Sequence, residues 1–114
     1  MIAVIFEVTA LPGLAPRYFE LAAELRQALE NVDGFISVER FQSVTRPECF
    51  LSLSFWRDAD AVMRWRTQER HRQAQAEGSA SVFAHYRIRV AEVLRDYGMT
   101  ERGQAPTDSG VTGL

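Results

Sequence analysis

The sequence has 114 residues, of which 46% are hydrophobic and 25% are charged, and its formal net charge is -2. A chain of this length and balance forms one globular domain and is too short for two. The small net charge excludes the basic surface that is typical of proteins binding nucleic acid or anionic membranes. All 13 basic residues are arginine, so the chain has no lysine for Schiff-base chemistry.

The chain has a single cysteine, Cys49, which excludes an intrachain disulfide. Because Cys49 lies in an apolar run, we expect a small buried side chain rather than a reactive thiol. The N-terminus lacks the pattern of a signal peptide, and no apolar run is long enough to span a membrane. We therefore expect a cytoplasmic protein without membrane contact.

The first elements along the chain are a strand and a helix. Residues 2–9 are rich in β-branched side chains, which predicts a strand, and both of its faces are apolar. Pro16 suits the first turn of a helix. Residues 17–30 place apolar side chains at intervals of three and four, which predicts an amphipathic helix ending before Gly34.

The middle of the chain predicts an antiparallel hairpin. Residues 35–44 and 49–56 both alternate between two faces, and a turn-forming segment with Pro47 separates them. Strict alternation places Phe35 on the same face as Ser37. Both strands carry apolar residues on both of their faces.

A second helix and a last strand follow the hairpin. Asp58 or Asp60 caps the helix, which runs toward Gly78 and whose second half is almost entirely polar, so that half faces solvent or borders a cavity. Alternation from Tyr86 to Tyr97 predicts the last strand. We expect residues 99–114 to be a flexible tail because they are rich in Gly, Thr and Ser.

The predicted order is β-α-β-β-α-β, which is the pattern of a ferredoxin-like α+β sandwich with an antiparallel sheet. The domain covers residues 1–98. Two helices cover only one face of the sheet, but apolar side chains occupy both faces. A second copy of the chain would cover the other face, so the pattern predicts a homodimer through the sheet faces.

Three stretches carry a resemblance to a known family: GFISVERFQS, LSLSFWRDADAVMRWRTQERHRQAQ and VFAHYRIRVAEVLRDYG. The first 98 residues resemble the antibiotic biosynthesis monooxygenase family. The resemblance implies a dimeric α+β barrel in which each subunit has a cavity between sheet and helices. Some members oxidise polyaromatic substrates with oxygen and no metal or flavin, and others bind and degrade haem.

Trp65 and His71 are the first candidates for catalytic residues. Trp65 would stack on an aromatic ligand, and His71 would act as an acid or base. The alternatives are that Trp65 belongs to the core and that His71 faces solvent. Six residues separate the two side chains by about 120° on a regular helix. They share a cavity only if the helix bends between them, and Thr67-Gln68 is the expected place.

Glu7 is a third candidate, because a charged residue in an apolar strand should be paired or functional. It would act as the general base toward a phenol, with a raised pKa. The alternative is a salt bridge across the strands to Arg87, Arg89 or Arg40.

Tyr86, Arg87 and Phe6 are the candidates for substrate contacts. Tyr86 would donate a hydrogen bond to a substrate oxygen, and Arg87 would stabilise a phenolate or enolate. The alternative for this pair is a dimer interface, where Tyr and Arg are enriched. No cluster of metal ligands is predicted.

Three functions remain open, of which the plainest is a stress-associated dimer whose partner is another protein. The first is a monooxygenase that needs no cofactor and oxidises a small phenol- or quinol-like molecule. The second is a dimeric module that binds a small apolar molecule or haem without catalysis. Haem degradation is disfavoured, because the first strand lacks the Asn of the haem-degrading members and Gln75 replaces their iron-binding His.

Overall fold

The computed structural model describes residues 1–75 and 82–107, with the backbone alone for residues 70–75. The described elements are β1 (Ile2–Ala10), α1 (Ala15–Leu29), β2 (Phe35–Gln42), β3 (Cys49–Trp56), α2 (Ala59–Gln75) and β4 (Phe83–Glu92). Their order is the one that the sequence patterns predict.

The four strands form one antiparallel sheet in the order β2-β3-β1-β4. This order is that of a ferredoxin-like fold, and it confirms the predicted fold class. β1 and β3 lie in the centre of the sheet, which explains why both carry apolar side chains on both faces. β2 and β4 are the two edges.

The two faces of the sheet differ in what covers them. Val8 of β1 and Phe50 of β3 are opposite each other and pack with Tyr18 of α1. We call this helix-covered side the inner face. Side chains alternate along a strand, so Glu7 and its neighbour Leu51 lie on the opposite side, the outer face.

The inner face carries two separate apolar clusters. Cluster one consists of Leu29, Val32, Val38, Trp56, Ala61 and Val62, and cluster two consists of Val8, Ala10, Tyr18 and Phe50. Trp56 is only 1% exposed, and its indole N–H donates a hydrogen bond of 2.9 Å to Ser54. The one polar group of the Trp56 side chain, its indole N–H, therefore has a hydrogen-bond acceptor inside the core.

The predicted side of Phe35 is wrong. Phe35 pairs with Trp56, but Ser37 pairs with Phe55, so the register shifts between Phe35 and Ser37. One inserted residue at this bulge turns Phe35 onto the inner face, where its ring lies 5.3 Å from that of Trp56. Ile36 is left 52% exposed.

The predicted bounds of the last strand are also wrong. β4 begins at Phe83 and ends at Glu92, not at Tyr97. Glu92 pairs with Ile2, the end residue of β1, and the N–H of Val93 donates to the carbonyl of Met1. β4 thus ends level with the strand with which it pairs.

Asp58 is the N-cap of α2, because its carboxylate accepts a 2.9 Å hydrogen bond from the N–H of Ala61. This bond, and then Arg57, lower the pKa of Asp58. Arg57 also donates two hydrogen bonds, of 3.1 and 3.2 Å, to Asp33, which lowers the pKa of that carboxyl. These contacts join the ends of α1 and β3 at the start of α2.

Local hydrogen bonds organise the segment after β4. The N–H of Asp96 donates to Gln104, and the N–H of Gly98 donates to Glu101. The domain boundary at residue 98 and the flexible tail over 99–114 stay predictions. Among the described residues, no helix is long and apolar enough to cross a membrane.

Candidate functional site

A row of four residues crosses the inner face between the two clusters. Arg40 of β2 pairs with Ser52 of β3, Ser52 with Phe6 of β1, and Phe6 with Ile88 of β4. We call these four residues the central row. None of them belongs to the buried set of either cluster. The middle of the inner face is therefore less deeply buried than its two ends, and it is polar at the β2 side.

The β4 side of the inner face is aromatic and open. Phe6 has its ring 5.8 Å from that of Tyr86 and 5.9 Å from that of Phe83. Tyr86 is 58% exposed and Ile88 is 53% exposed, although both point to the side of the sheet that the helices cover. An apolar molecule could bury this surface. Phe6 and Tyr86, both predicted as substrate contacts, are brought together here.

Trp65 of α2 packs against cluster one, with its ring 6.4 Å from that of Trp56. It is only partly buried, unlike Trp56. Trp65 therefore lies at the edge of cluster one. The side chain contacts the core, as expected for a core residue. Part of its ring is uncovered, as expected for the wall of a ligand site.

Glu69 lies one helical turn beyond Trp65 and on the same side of α2. One of its carboxylate oxygens, Oε2, is buried. Helix α2 runs antiparallel to β3, and Val62 of α2 and Trp56 of β3 both belong to cluster one. At 1.5 Å per helical residue, Glu69 lies about 10 Å from Val62 along the helix axis. Ser52 lies about 14 Å back from Trp56 along the strand. Glu69 is thus close to the level of the central row.

Tyr18 of α1 reaches the same row from cluster two. Its ring stacks on Phe50 at 5.3 Å, and the side chain is 4% exposed. Burial raises the pKa of Tyr18, and the nearby positive charge of Arg40 opposes that rise. The Tyr18 hydroxyl is buried. The Arg40 side chain is close enough to donate a hydrogen bond to its oxygen, but a guanidinium cannot accept the hydroxyl proton. The hydroxyl is a protonated donor beside a cation.

Glu7 is not brought together with Trp65. It lies on the outer face and accepts a hydrogen bond of 2.9 Å from Arg89, the ion pair that was the alternative to a catalytic role. Arg87 is opposite Glu7 in the register and shares the outer face. Alternation along the strands thus places Glu7 and Arg87 on the opposite side of the sheet from Tyr86, and the catalytic role of Glu7 stays a prediction.

His71 lies in α2, but its side chain is outside the described part of the chain, as is that of Gln75. Whether α2 brings His71 toward Trp65 stays a prediction. His85, the other histidine, pairs with Thr9 in the register and lies on the outer face.

The described residues offer no good ligand set for a metal or for haem. They contain no group of three or more His, Cys, Asp or Glu that could hold a metal ion. Cys49 and His85 are both on the outer face. The described inner face has phenols but neither imidazole nor thiolate, and a buried phenol with a raised pKa, as in Tyr18, is a poor ligand. These residues do not fit haem.

Three polar residues near the central row were missed from the sequence: Arg40, Glu69 and Tyr18. A signal existed for Glu69, which follows Trp65 by four residues and so shares its helix side. Arg40 was considered only as a partner for Glu7. Its place on the inner face is visible from its two-residue spacing to Val38, which is buried in cluster one.

Residues 1–77 match the family model of antibiotic biosynthesis monooxygenase. The chain is 45% identical over 93 residues to the jasmonate monooxygenase ABM of Pyricularia oryzae; the match covers 82% of this chain. The chain spans only 43% of that relative's length. It is also 28% identical to YqjZ of Bacillus subtilis, over 68% of this chain and 67% of that protein.

The fold is similar to that of the haem-degrader MhuD from Mycobacterium tuberculosis, solved with two haems in its active site. The TM-score is 0.67 at 21% identity, and the match covers 86% of this chain and 100% of that one. This likeness is one of fold. The chain belongs to the antibiotic biosynthesis monooxygenase family.

Proposed function

We propose that the chain is a monooxygenase that oxidises a small, largely apolar molecule bound between α2 and the inner face of the sheet. The observation that carries the proposal is the central row, a partly buried strip with an aromatic end at Phe6 and a polar end at Arg40. Trp65 packs against cluster one, and Glu69 lies one helical turn further along the same side of α2. Membership of the family supports the reaction type.

The proposed substrate carries an electron-rich ring of the phenol or quinol kind. Loss of a proton would leave an anion that passes an electron to dioxygen, and one oxygen atom would enter the substrate while the other leaves as water. The substrate supplies the electrons, so we propose that no cofactor is required. Glu69 replaces Glu7 as the proposed base because its carboxylate is on the helix side of the sheet. His71 stays a proposed acid or base.

Oxygen consumption with a panel of hydroquinones, naphthols and jasmonate tests the proposal. Jasmonate is included because a relative is named for its oxidation. Trp65→Ala should lower kcat/KM by about tenfold or more, since it removes a wall of the site. Met63→Ala, in the same helix but 58% exposed, is the matched control and should change little.

Consumption with jasmonate but with no aromatic compound would move the substrate out of the phenol class and leave the monooxygenase proposal standing. No consumption with any compound, or equal rates for the wild type and Trp65→Ala, would contradict it. In that case, a binding module without catalysis would become the better description.

A haem titration tests the proposed independence from a cofactor. We expect no Soret shift at micromolar haem, because the described inner face provides neither imidazole nor thiolate. A Soret shift that disappears in His71→Ala would contradict this expectation and favour a haem-binding module.

We also propose that the chain forms a homodimer through the outer face. Ile5, Leu51, Leu53 and Phe55 lie on this face and are only partly buried, and Phe41 beside them is 44% exposed. A soluble chain rarely leaves so continuous an apolar strip uncovered, and a second copy presents the same strip in return. The cytoplasmic location, expected from the sequence, stays a prediction.

A further inference from the structure

We propose that Arg40 and Tyr18 form a subsite that binds the carboxylate of the substrate, so that the substrate is an apolar acid. The inference rests on the proposed function in one respect: it takes the inner face as the place where the substrate binds. Beyond that function, the inference assigns a carboxylate head group to the substrate and two residues that recognise this carboxylate.

Arg40 has an unusual environment for an arginine of this chain. Five arginines form ion pairs with carboxylates in the described residues: Arg17, Arg26, Arg57, Arg64 and Arg89. These five are exposed or nearly so. Arg40 is partly buried on the inner face, and within the described ranges no carboxylate pairs with it. A partly buried cation without an anion is costly, and an anionic ligand would remove that cost.

Tyr18 is an independent observation that points to the same ligand. Tyr18 is only 4% exposed, and its buried hydroxyl faces Arg40 but lacks an acceptor for its proton among the described atoms. Buried hydroxyls almost always have a partner, so an empty donor in a protein interior requires an explanation. Because burial raises the pKa of Tyr18, the hydroxyl keeps its proton and can donate it to an anion.

A carboxylate suits this pair better than a single neutral oxygen would. Its two oxygens match the planar fork of a guanidinium, and a spare lone pair accepts from the Tyr18 hydroxyl. The rest of the ligand would lie along the central row. Strands are about 4.8 Å apart, so Phe6 lies about 10 Å from Arg40 across Ser52. This distance fits a molecule with an acid at one end and an apolar body at the other.

The name of the relative agrees with this class of ligand. The chain is 45% identical to a jasmonate monooxygenase, and jasmonate is an apolar molecule with one carboxylate. The subsite would thus hold the acid at the β2 side, and the carbon that is oxidised would lie toward Trp65 and Phe6.

Isothermal titration calorimetry with matched acids and esters tests the subsite without any turnover. The probes are jasmonate with methyl jasmonate, and 6-hydroxy-2-naphthoate with its methyl ester. We expect at least one acid to bind about tenfold or more tighter than its ester, as a charge-assisted bidentate contact would provide. Arg40→Gln should remove that preference, and Tyr18→Phe should weaken acid binding by about threefold to tenfold while ester binding stays the same.

Arg46→Gln is the matched control, because Arg46 is an exposed arginine in the turn that follows β2 and should leave both affinities unchanged. Thermal melting identifies a variant that fails to fold. Tyr18→Phe removes a single atom and keeps the stacked ring, so it tests the subsite even if Arg40→Gln is unstable. Equal affinity for acid and ester, or no binding of either acid, would overturn the proposal.

Oxygen consumption separates this proposal from the one on which it rests. Acid preference that is lost in both variants, without oxygen consumption by the wild type, would support the subsite and contradict the monooxygenase. Oxygen consumption that is as fast with esters as with acids and unchanged in Arg40→Gln would support the monooxygenase and overturn the subsite.

Discussion

The two faces of the sheet differ in whether their charged residues have ion-pair partners in the described structure. On the outer face, Glu7 and Arg89 neutralise each other at 2.9 Å, and both side chains are about half exposed. On the inner face, Arg40 lies beside the buried Tyr18 hydroxyl, and among the described residues it has no carboxylate partner. The outer pair neutralises itself, whereas the described part of the inner face holds no anion that pairs with Arg40.

This difference shows which kind of charge identifies a site. A charged residue within an apolar strand attracts notice in a sequence, and Glu7 did so. In the structure, the presence of a counter-ion distinguishes Glu7 from Arg40, because a charge that is already paired does not need an ionic ligand. The following variants would break or sharpen the contrast between a self-contained outer face and an incomplete inner face.

The largest expected effect concerns stability and comes from cluster one. Trp56→Ala should lower the free energy of unfolding by about 3–5 kcal/mol, because it deletes a side chain that is 1% exposed and frees Ser54 from its hydrogen bond. Urea denaturation measures this change. Trp65→Ala should cost clearly less, since Trp65 is only partly buried. Equal losses would mean that Trp65 is a core residue and not the wall of a site.

The next effect concerns the outer face and the proposed dimer. Leu53→Asp places a charge in the middle of the apolar strip and should raise the dissociation constant of the dimer by about a hundredfold or more. Sedimentation velocity at two protein concentrations measures it. Val44→Asp, at a position that is 97% exposed in the turn after β2, is the control. A wild-type chain that sediments as a monomer at 100 μM would contradict the proposal.

Much of the fold was predictable because side-chain periodicity reports burial directly. The alternation of 49–56 predicted β3 with its correct bounds, and the three- and four-residue spacing predicted α1 to within two residues of its ends. The errors have physical causes outside local sequence. The bulge at Phe35 is a one-residue insertion, and β4 ends where its partner β1 ends. Neither is encoded in the strand itself.

The site was only half predictable, for a related reason. Phe6, Tyr86 and Trp65 were found because large aromatic residues stand out in any sequence. The proposed role of Arg40 depends on neighbours that are distant in sequence, namely Ser52 across one strand pair and Tyr18 on a helix. Only the register between strands reveals that these residues meet.

A smaller effect is expected from the Tyr18 hydroxyl, and it has the opposite sign. Tyr18→Phe should raise the free energy of unfolding by about 1 kcal/mol in the absence of ligand, because it removes a buried donor without an acceptor in the described structure. Tyr86→Phe, whose side chain is 58% exposed, should change stability by less than half as much. A loss of stability in Tyr18→Phe would mean that the hydroxyl has a partner in the folded chain and needs no ligand.

The smallest expected effect is that of Glu7 on catalysis, and it is the sharpest test of the contrast between the faces. Glu7→Gln keeps an acceptor for Arg89 and lies on the outer face, so kcat/KM for oxygen consumption should stay within about twofold. Glu69→Gln is the matched substitution on the inner side, and removal of a general base there should cost about a hundredfold. The two variants change the same group in the same way on opposite sides of one sheet. If Glu7→Gln lowered kcat/KM more than Glu69→Gln, the reacting atoms would lie on the outer face. The proposal that the substrate binds at the central row would then be wrong.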